Sequence, residues 1–185
     1  MSWDELENTC KSCTKCELHK TRTNCVFGSG DRNAKLMFVG EAPGEKEDLS
    51  GIPFVGAAGQ LFDKYLAAVD IRRDDVYIAN MLKCRPPKNR DPQPGEQDLC
   101  IDYLREQVRL IRPAIIVCLG RISAMRLIKP DFKITAEHGQ WIDRGGFKMC
   151  AVYHPSLLLR DPRKKEDMLT DMKSVKLMLD SVTEV

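Results

Sequence analysis

A carboxylate, an amide and an imidazole recur where short apolar runs give way to polar residues: Glu41, Asn80 and His154. The first can carry negative charge or take a proton. The second can donate and accept hydrogen bonds at once, and the third exchanges protons near neutrality. Each has an ordinary reading by itself: Glu41 as a solvated loop charge, Asn80 as a turn former, His154 as a strand-end histidine. Their repetition at one kind of position argues for a shared site. A second constellation is made of cysteines, with Cys13 and Cys16 in a C-x2-C step and Cys84 and Cys100 far downstream. A structural zinc site usually takes two close pairs of ligands. Here only one pair is close, so the fold must gather the thiolates, and the spacing suits zinc and a [4Fe–4S] cluster equally.

The elements that must position these groups follow from apolar patterning. Runs at 35–39, 76–79, 114–119 and 149–153 are short, almost wholly apolar and rich in β-branched residues, as strands buried on both faces are. Helical periodicity fills 57–69, 95–111, 121–128 and 165–182. Strand–helix alternation predicts an α/β fold with a parallel sheet between helical layers. In such sheets ligands bind beyond the carboxyl ends of the strands, where Glu41, Asn80, Gly120-Arg121 and His154 fall. The loop after the first run is dense in glycine (Gly40, Gly44, Gly51, Gly56, Gly59), which lets backbone approach a ligand, but it matches neither a P-loop nor a dinucleotide fingerprint. Phe54 within it reads as an exposed stacking platform or as an anchor for the loop. Two basic loops, 83–90 with Lys83, Arg85 and Arg90, and 160–165 with Arg160, lie on the same edge and suit a phosphate backbone.

The whole chain, 1–185, reads as one domain with a cysteine-bearing arm over about residues 1–30. A net charge of +2 excludes a uniformly basic protein, so any nucleic-acid grip must be local. No apolar run is long enough to span a membrane and no signal pattern opens the chain, which predicts a cytoplasmic protein. In that setting eight cysteines indicate metal or redox chemistry rather than a disulfide framework. Cys118 and Cys150 sit in apolar runs and read as core thiols, Cys25 has no assignment, and Cys10 is a spare ligand or, as favoured here, a bystander.

Taken together, several segments closely resemble the iron–sulfur (family 4) uracil-DNA glycosylases of the uracil-DNA glycosylase superfamily. They are Cys13-Thr14-Lys15-Cys16, Gly40-Glu41-Ala42-Pro43-Gly44 with Glu47-Asp48, and Gly51-Ile52-Pro53-Phe54-Val55-Gly56. The series continues with Asn80 through Arg90, then Cys100, then His154-Pro155-Ser156-Leu157-Leu158-Leu159-Arg160. The resemblance covers nearly the whole chain in order. It implies a three-layer α/β/α fold on a central four-stranded parallel sheet and a [4Fe–4S] cluster on Cys13, Cys16, Cys84 and Cys100. It also implies hydrolysis of the N-glycosidic bond of uracil in single- or double-stranded DNA, leaving an abasic site for base excision repair.

By that resemblance Phe54 stacks on uracil, Asn80 reads the N3–H and O4 edge, and the backbone at Glu41 and Ala42 adds contacts. His154 donates to O2, Glu41 orients water and offsets sugar charge, and Glu47 lies beside C5 of the base or on the water. A leucine of the loop 156–160, Leu158, enters the duplex while Arg160 holds phosphate. The implied protein is a nucleoid-associated monomer with a sliding clamp as a possible partner. A branch of the superfamily that traps the sugar covalently uses a histidine in an inserted loop; residues 83–90 contain none. The rival readings are a non-catalytic, metal-clasped nucleic-acid binding module, which leaves Glu41, Asn80 and His154 without a purpose, and a redox protein that uses the cluster itself, which would show a readily cycling cluster and no base release.

Overall fold

The structure, a computed structural model, describes residues 1–184. Six strands form one sheet: β1 (Ser29–Gly30), β2 (Leu36–Gly40), β3 (Tyr77–Asn80), β4 (Ile115–Leu119), β5 (Ile142–Asp143) and β6 (Lys148–Val152), in the order β1-β3-β2-β4-β6-β5. The central four, β3-β2-β4-β6, are parallel. The four-stranded expectation is corrected at the edges, where β1 pairs antiparallel to β3 and β5 antiparallel to β6. Each added strand is two residues long, too short for any periodicity to reveal it.

The helices are α1 (Trp3–Lys11), α2 (Glu45–Ser50), α3 (Ala57–Ala68), α4 (Pro94–Ile111), α5 (Arg121–Leu127), α6 (Ile134–Glu137), α7 (Pro155–Arg160) and α8 (Lys165–Thr183). The four strands and four helices expected from patterning are all present, within two residues at each end. Alternate strand residues face opposite layers. Leu36, Phe38, Ile78, Ile115 and Val117 pack with Phe62 and Leu66 of α3 and Met172 and Val175 of α8. Met37, Val39, Ala79, Ile116 and Cys118 pack with Ile101 and Leu104 of α4 and Ala124 of α5. Cys118 and Cys150 are buried, as core thiols should be.

Helix α1 went unread, although its start carries a capping box: Glu5 N–H donates to Ser2 Oγ at 3.2 Å and Ser2 N–H to Glu5 Oε2 at 2.7 Å. The arm that contains it is fastened to the sheet side by Trp3, edge-on to both Phe27 and Tyr77. It is fastened to the α2 loop by the buried Asp48 carboxylate, which accepts from the N–H groups of Thr23 and Asn24. No helix of the described residues is long and apolar enough to cross a membrane. The chain passes from β2 outward to β3 and later returns to β4 on the other flank of β2, so the strand order reverses between β2 and β4. The crevice beyond that reversal is where an α/β sheet receives a ligand.

Candidate active site

That crevice is a cleft of about 390 Å³ lined by Glu41, Ala42, Glu47, Phe54, Asn80 and His154, together with Pro43, Gly44, Arg90 and Ser156 among others. Every expected substrate-side and catalytic residue therefore lies on one cavity, although the groups come from strand ends and loops far apart in the chain. Asn80, the last residue of β3, is 2% exposed, and its Oδ1 has no hydrogen-bond partner. A buried acceptor left unpaired costs about 1–3 kcal/mol, a cost removed when a ligand N–H fills the position. Gly40 makes room for it: a Cβ there would sit 2.4 Å from Asn80 Oδ1 and 2.6 Å from the Phe54 ring. Gly40→Ala is therefore expected to fold but to lose roughly 10²-fold in kcat/KM through displaced cleft side chains, read by steady-state rates beside a thermal melt.

Phe54 is not the freely exposed platform of the sequence reading. The residue is 6% exposed, and its ring lies 5.7 Å from that of Phe62 on the core side and 5.7 Å from the His154 ring, tilted by 36°. Its backbone takes φ 54°, a left-handed value uncommon for an aromatic residue. Two devices hold it there. Arg73 donates to Phe54 O at 2.9 Å and also to Pro53 O, and Gly59 beneath leaves no Cβ to strike the Phe54 carbonyl. Arg73 was missed because nothing local in the sequence links it to a loop twenty residues earlier.

Glu47 accepts from Gly44 N–H at 3.1 Å with one oxygen, and from Val55 N–H at 2.9 Å and Gly56 N–H at 2.7 Å with the other. Its carboxylate thus closes the glycine loop on itself while lining the cleft. Glu41, just after β2, is half-buried; burial, with a smaller effect of the Asp91 charge, raises its carboxyl to about 7 against the pull of Arg121 and Arg160. His154 precedes Pro155 at the first position of α7, which makes it the helix N-cap. Its Nδ1 accepts from Ser156 N–H at 3.0 Å and lies 2.7 Å from Ser156 Oγ. That bond leaves the ring proton of the neutral imidazole on Nε2. Burial, reinforced by the Arg160 charge, lowers His154 to about 4, so the ring is neutral at physiological pH.

Two expected DNA contacts are corrected. Lys83 is 1% exposed, with Nζ donating to Phe27 O at 3.0 Å and Gln107 Oε1 at 2.7 Å, so it points into the protein rather than toward a phosphate. Leu158 is fully buried against the core, because 155–160 is a helix rather than a loop and its register turns that side chain inward. Leu159, 50% exposed, is the leucine this helix presents to solvent. Arg160 is exposed, and its charge reaches both Glu41 and His154. Arg85 donates to Asn89 at 2.7 Å, and Arg90 holds Glu96 through two bonds of 2.8 Å, which braces the 83–90 loop against α4.

The cysteines gather as the spacing required. Cys10, Cys13, Cys16, Cys84 and Cys100 all line one cavity. Arg22 donates to Cys84 Sγ at 3.1 Å and Lys83 N–H to Cys100 Sγ at 3.4 Å, so donors already face the sulfurs as thiolates require. Among the described residues no three His, Cys, Asp or Glu side chains stand close enough for a single ion. Thiols that line one cavity and are met by hydrogen-bond donors are a donor set that fits a thiolate-bound metal centre, an iron–sulfur cluster included. Cys25, unassigned by sequence, lies 3.5 Å from Cys10, sulfur to sulfur.

A parallel sheet with a buried amide, a poised carboxylate and a neutral imidazole at its strand ends agrees with what comparison with known proteins finds. The family model described as the uracil DNA glycosylase superfamily matches residues 27–174, and the chain belongs to that superfamily. Within it the chain falls with the type-4 enzymes. It is 48% identical to a type-4 uracil-DNA glycosylase of Archaeoglobus fulgidus over 94% of this chain and 92% of that one. Relatives of the same name match from Thermotoga maritima, at 47% over 82% of this chain and 80% of that one, and from Pyrobaculum aerophilum, at 40% over 93% and 92%.

Proposed function

We propose that this protein is a monofunctional uracil-DNA glycosylase, hydrolysing the bond between uracil and deoxyribose to leave an abasic site in base excision repair. The observation that carries the reading is the buried Asn80 amide, whose unpaired Oδ1 shares a cleft with a neutral His154 and with Glu41. A base must leave the stack to reach such a cleft. Asn80 Oδ1 then accepts from N3–H and its amide nitrogen donates to O4. Cytosine presents the opposite pattern and leaves both sides unpaired. Phe54 packs against the ring of the base, and the backbone of Ala42 lies along its edge.

As the bond to C1′ lengthens, charge develops on O2 of the base. His154 meets it with the Nε2 proton that the Ser156 contact enforces, without having to give up a proton of its own. Glu41, as carboxylate, orients the water and offsets the sugar cation, while Glu47 keeps the glycine loop in place. Lys46 also lines the cleft, but it is exposed, and a solvated ammonium is a poor Schiff-base nucleophile, so no strand cleavage follows. Arg90, which lines the cleft, together with Arg85 and the exposed Arg160 would contact the DNA backbone, with Leu159 as the wedge in place of Leu158.

Cys13, Cys16, Cys84 and Cys100 would hold a [4Fe–4S] cluster, which supplies a structural clasp between the arm, the 83–90 loop and α4 rather than electrons for hydrolysis. The chain acts as one catalytic domain in the cytoplasm. The test is release of free uracil from single-stranded and U·G-mismatched oligonucleotides. Release from both is expected, and none from protein carrying its iron chromophore would leave the binding-module reading in its place.

A further inference from the structure

We propose that Arg73, braced by Asp63, is a positioning residue for base excision. It locks Phe54 in the left-handed conformation that makes the ring a wall of the cleft. The inference deepens the proposed reaction and rests on Phe54 as the side chain that packs against the extruded base. A bulky residue at φ 54° sits in a sparsely populated region, and such a conformation persists only where its surroundings impose it. The Arg73 guanidinium imposes it. Nη1 donates to Phe54 O at 2.9 Å, and Nη2 donates to Pro53 O. An extended Phe54 would turn those successive carbonyls to opposite sides, whereas the left-handed turn presents both to one planar fork.

Pro53 and Phe54 are both buried, and among the described residues no other donor reaches either carbonyl. Losing the guanidinium would strand two buried acceptors and remove what opposes relaxation of Phe54 to negative φ. Nη1 also donates to Asp63 Oδ1 of α3 at 2.7 Å, which holds the fork in place. Arg73 itself opens the 3₁₀ turn Arg73–Asp75 that leads into β3. One side chain thus ties the stacking wall to the strand that ends in the Asn80 amide. The two groups meet at Gly40, where a Cβ would lie 2.6 Å from the Phe54 ring and 2.4 Å from Asn80 Oδ1. Arg73 does not line the cleft, so its effect on the base must pass through Phe54. A ring preset in this way spends no binding energy of the base on ordering the loop. A displacement of about 1 Å costs roughly 10² in rate.

The experiment is a double-mutant cycle on uracil release, comparing Arg73→Met, Phe54→Ala and the pair with the parent. Rates are taken in single turnover at saturating enzyme, well below each melting point. Affinity for the same duplex without uracil is measured alongside. Arg73→Met is expected to slow release by about 10²-fold and to leave affinity for uracil-free DNA at the parent value. In the Phe54→Ala background the same change should cost less than about threefold, because the wall it positions is gone. A smaller loss of the same kind is expected from Arg73→Lys, which keeps the charge beside Asp63 but not the planar fork. A merely structural role would lower the melting point and leave the saturated rate of folded protein unmoved, which overturns the inference. Equal losses in both backgrounds overturn it too, since Arg73 would then act through Asn80 or another group. If Arg73→Met fails to fold, Arg73→Lys runs the same cycle. A Phe54→Ala variant that releases uracil at the parent rate refutes the stacking reading instead, and the two failures are distinguishable.

Discussion

Replacing Asn80 with alanine is expected to lower uracil release by about 10³-fold, the effect of two lost hydrogen bonds to a desolvated base edge at roughly 2 kcal/mol each. No hydrogen bond within the described chain engages the Asn80 amide, and its Oδ1 is buried without a partner. The substitution thus removes nothing that holds the fold together beyond a small packing volume, and it relieves an unsatisfied acceptor. Thermal stability should therefore stay level or rise while the rate collapses. Discrimination against cytosine should shrink at the same time, since the pattern that separates the two bases is read at this position. Single-turnover rates on matched U and C oligonucleotides, with a melting curve, check all three parts. A variant that loses activity together with stability would instead make Asn80 a structural residue.

The second large effect is a pH profile with one acidic limb near neutrality. Glu41 works as a carboxylate, and burial raises its carboxyl to about 7. Below that pH it is protonated and can neither orient water as a base nor offset the sugar cation. The rate constant kcat/KM should then rise about tenfold per pH unit on the acid side and level off above about 7. His154 contributes no limb in this range because its ring stays neutral down to about 4. Glu41→Gln is expected to abolish the limb and leave a low, flat residual rate. His154→Ala should keep the limb while lowering the plateau by 10²–10³-fold, on the order of one lost preorganised donor. A limb that survives in Glu41→Gln would assign the ionisation to another group.

The chemistry-bearing residues were legible because each follows an apolar run, and a parallel sheet delivers strand ends to one edge. That rule brought Glu41, Asn80 and His154 onto one cleft from positions more than a hundred residues apart. The cysteine constellation was legible through the C-x2-C step and the need for a fold to complete it; the fold brings five cysteines, Cys10 among them, to one cavity. Some missed features did leave a trace, such as the Ser2–Glu5 capping box of α1 and the His154-Pro155 step that opens α7.

Charge and hydropathy misled where burial decided the outcome. Lys83 looked like one member of a basic loop, yet its side chain turns inward to Gln107 and Phe27. Leu158 and Leu159 are indistinguishable as letters, and only the register of α7 sends one to the core and the other to solvent.

Local pattern alone, then, determined the α/β class, the strand ends and the candidate reactive groups, because apolar periodicity and strand-end position are properties of neighbouring residues. Tertiary structure decided the proton on His154 Nε2, the raised Glu41 carboxyl, the strained Phe54 held by Arg73, and the Arg22 guanidinium that faces Cys84. Each of these depends on desolvation or on a partner distant in the chain, and both arise only when the layers close on one another.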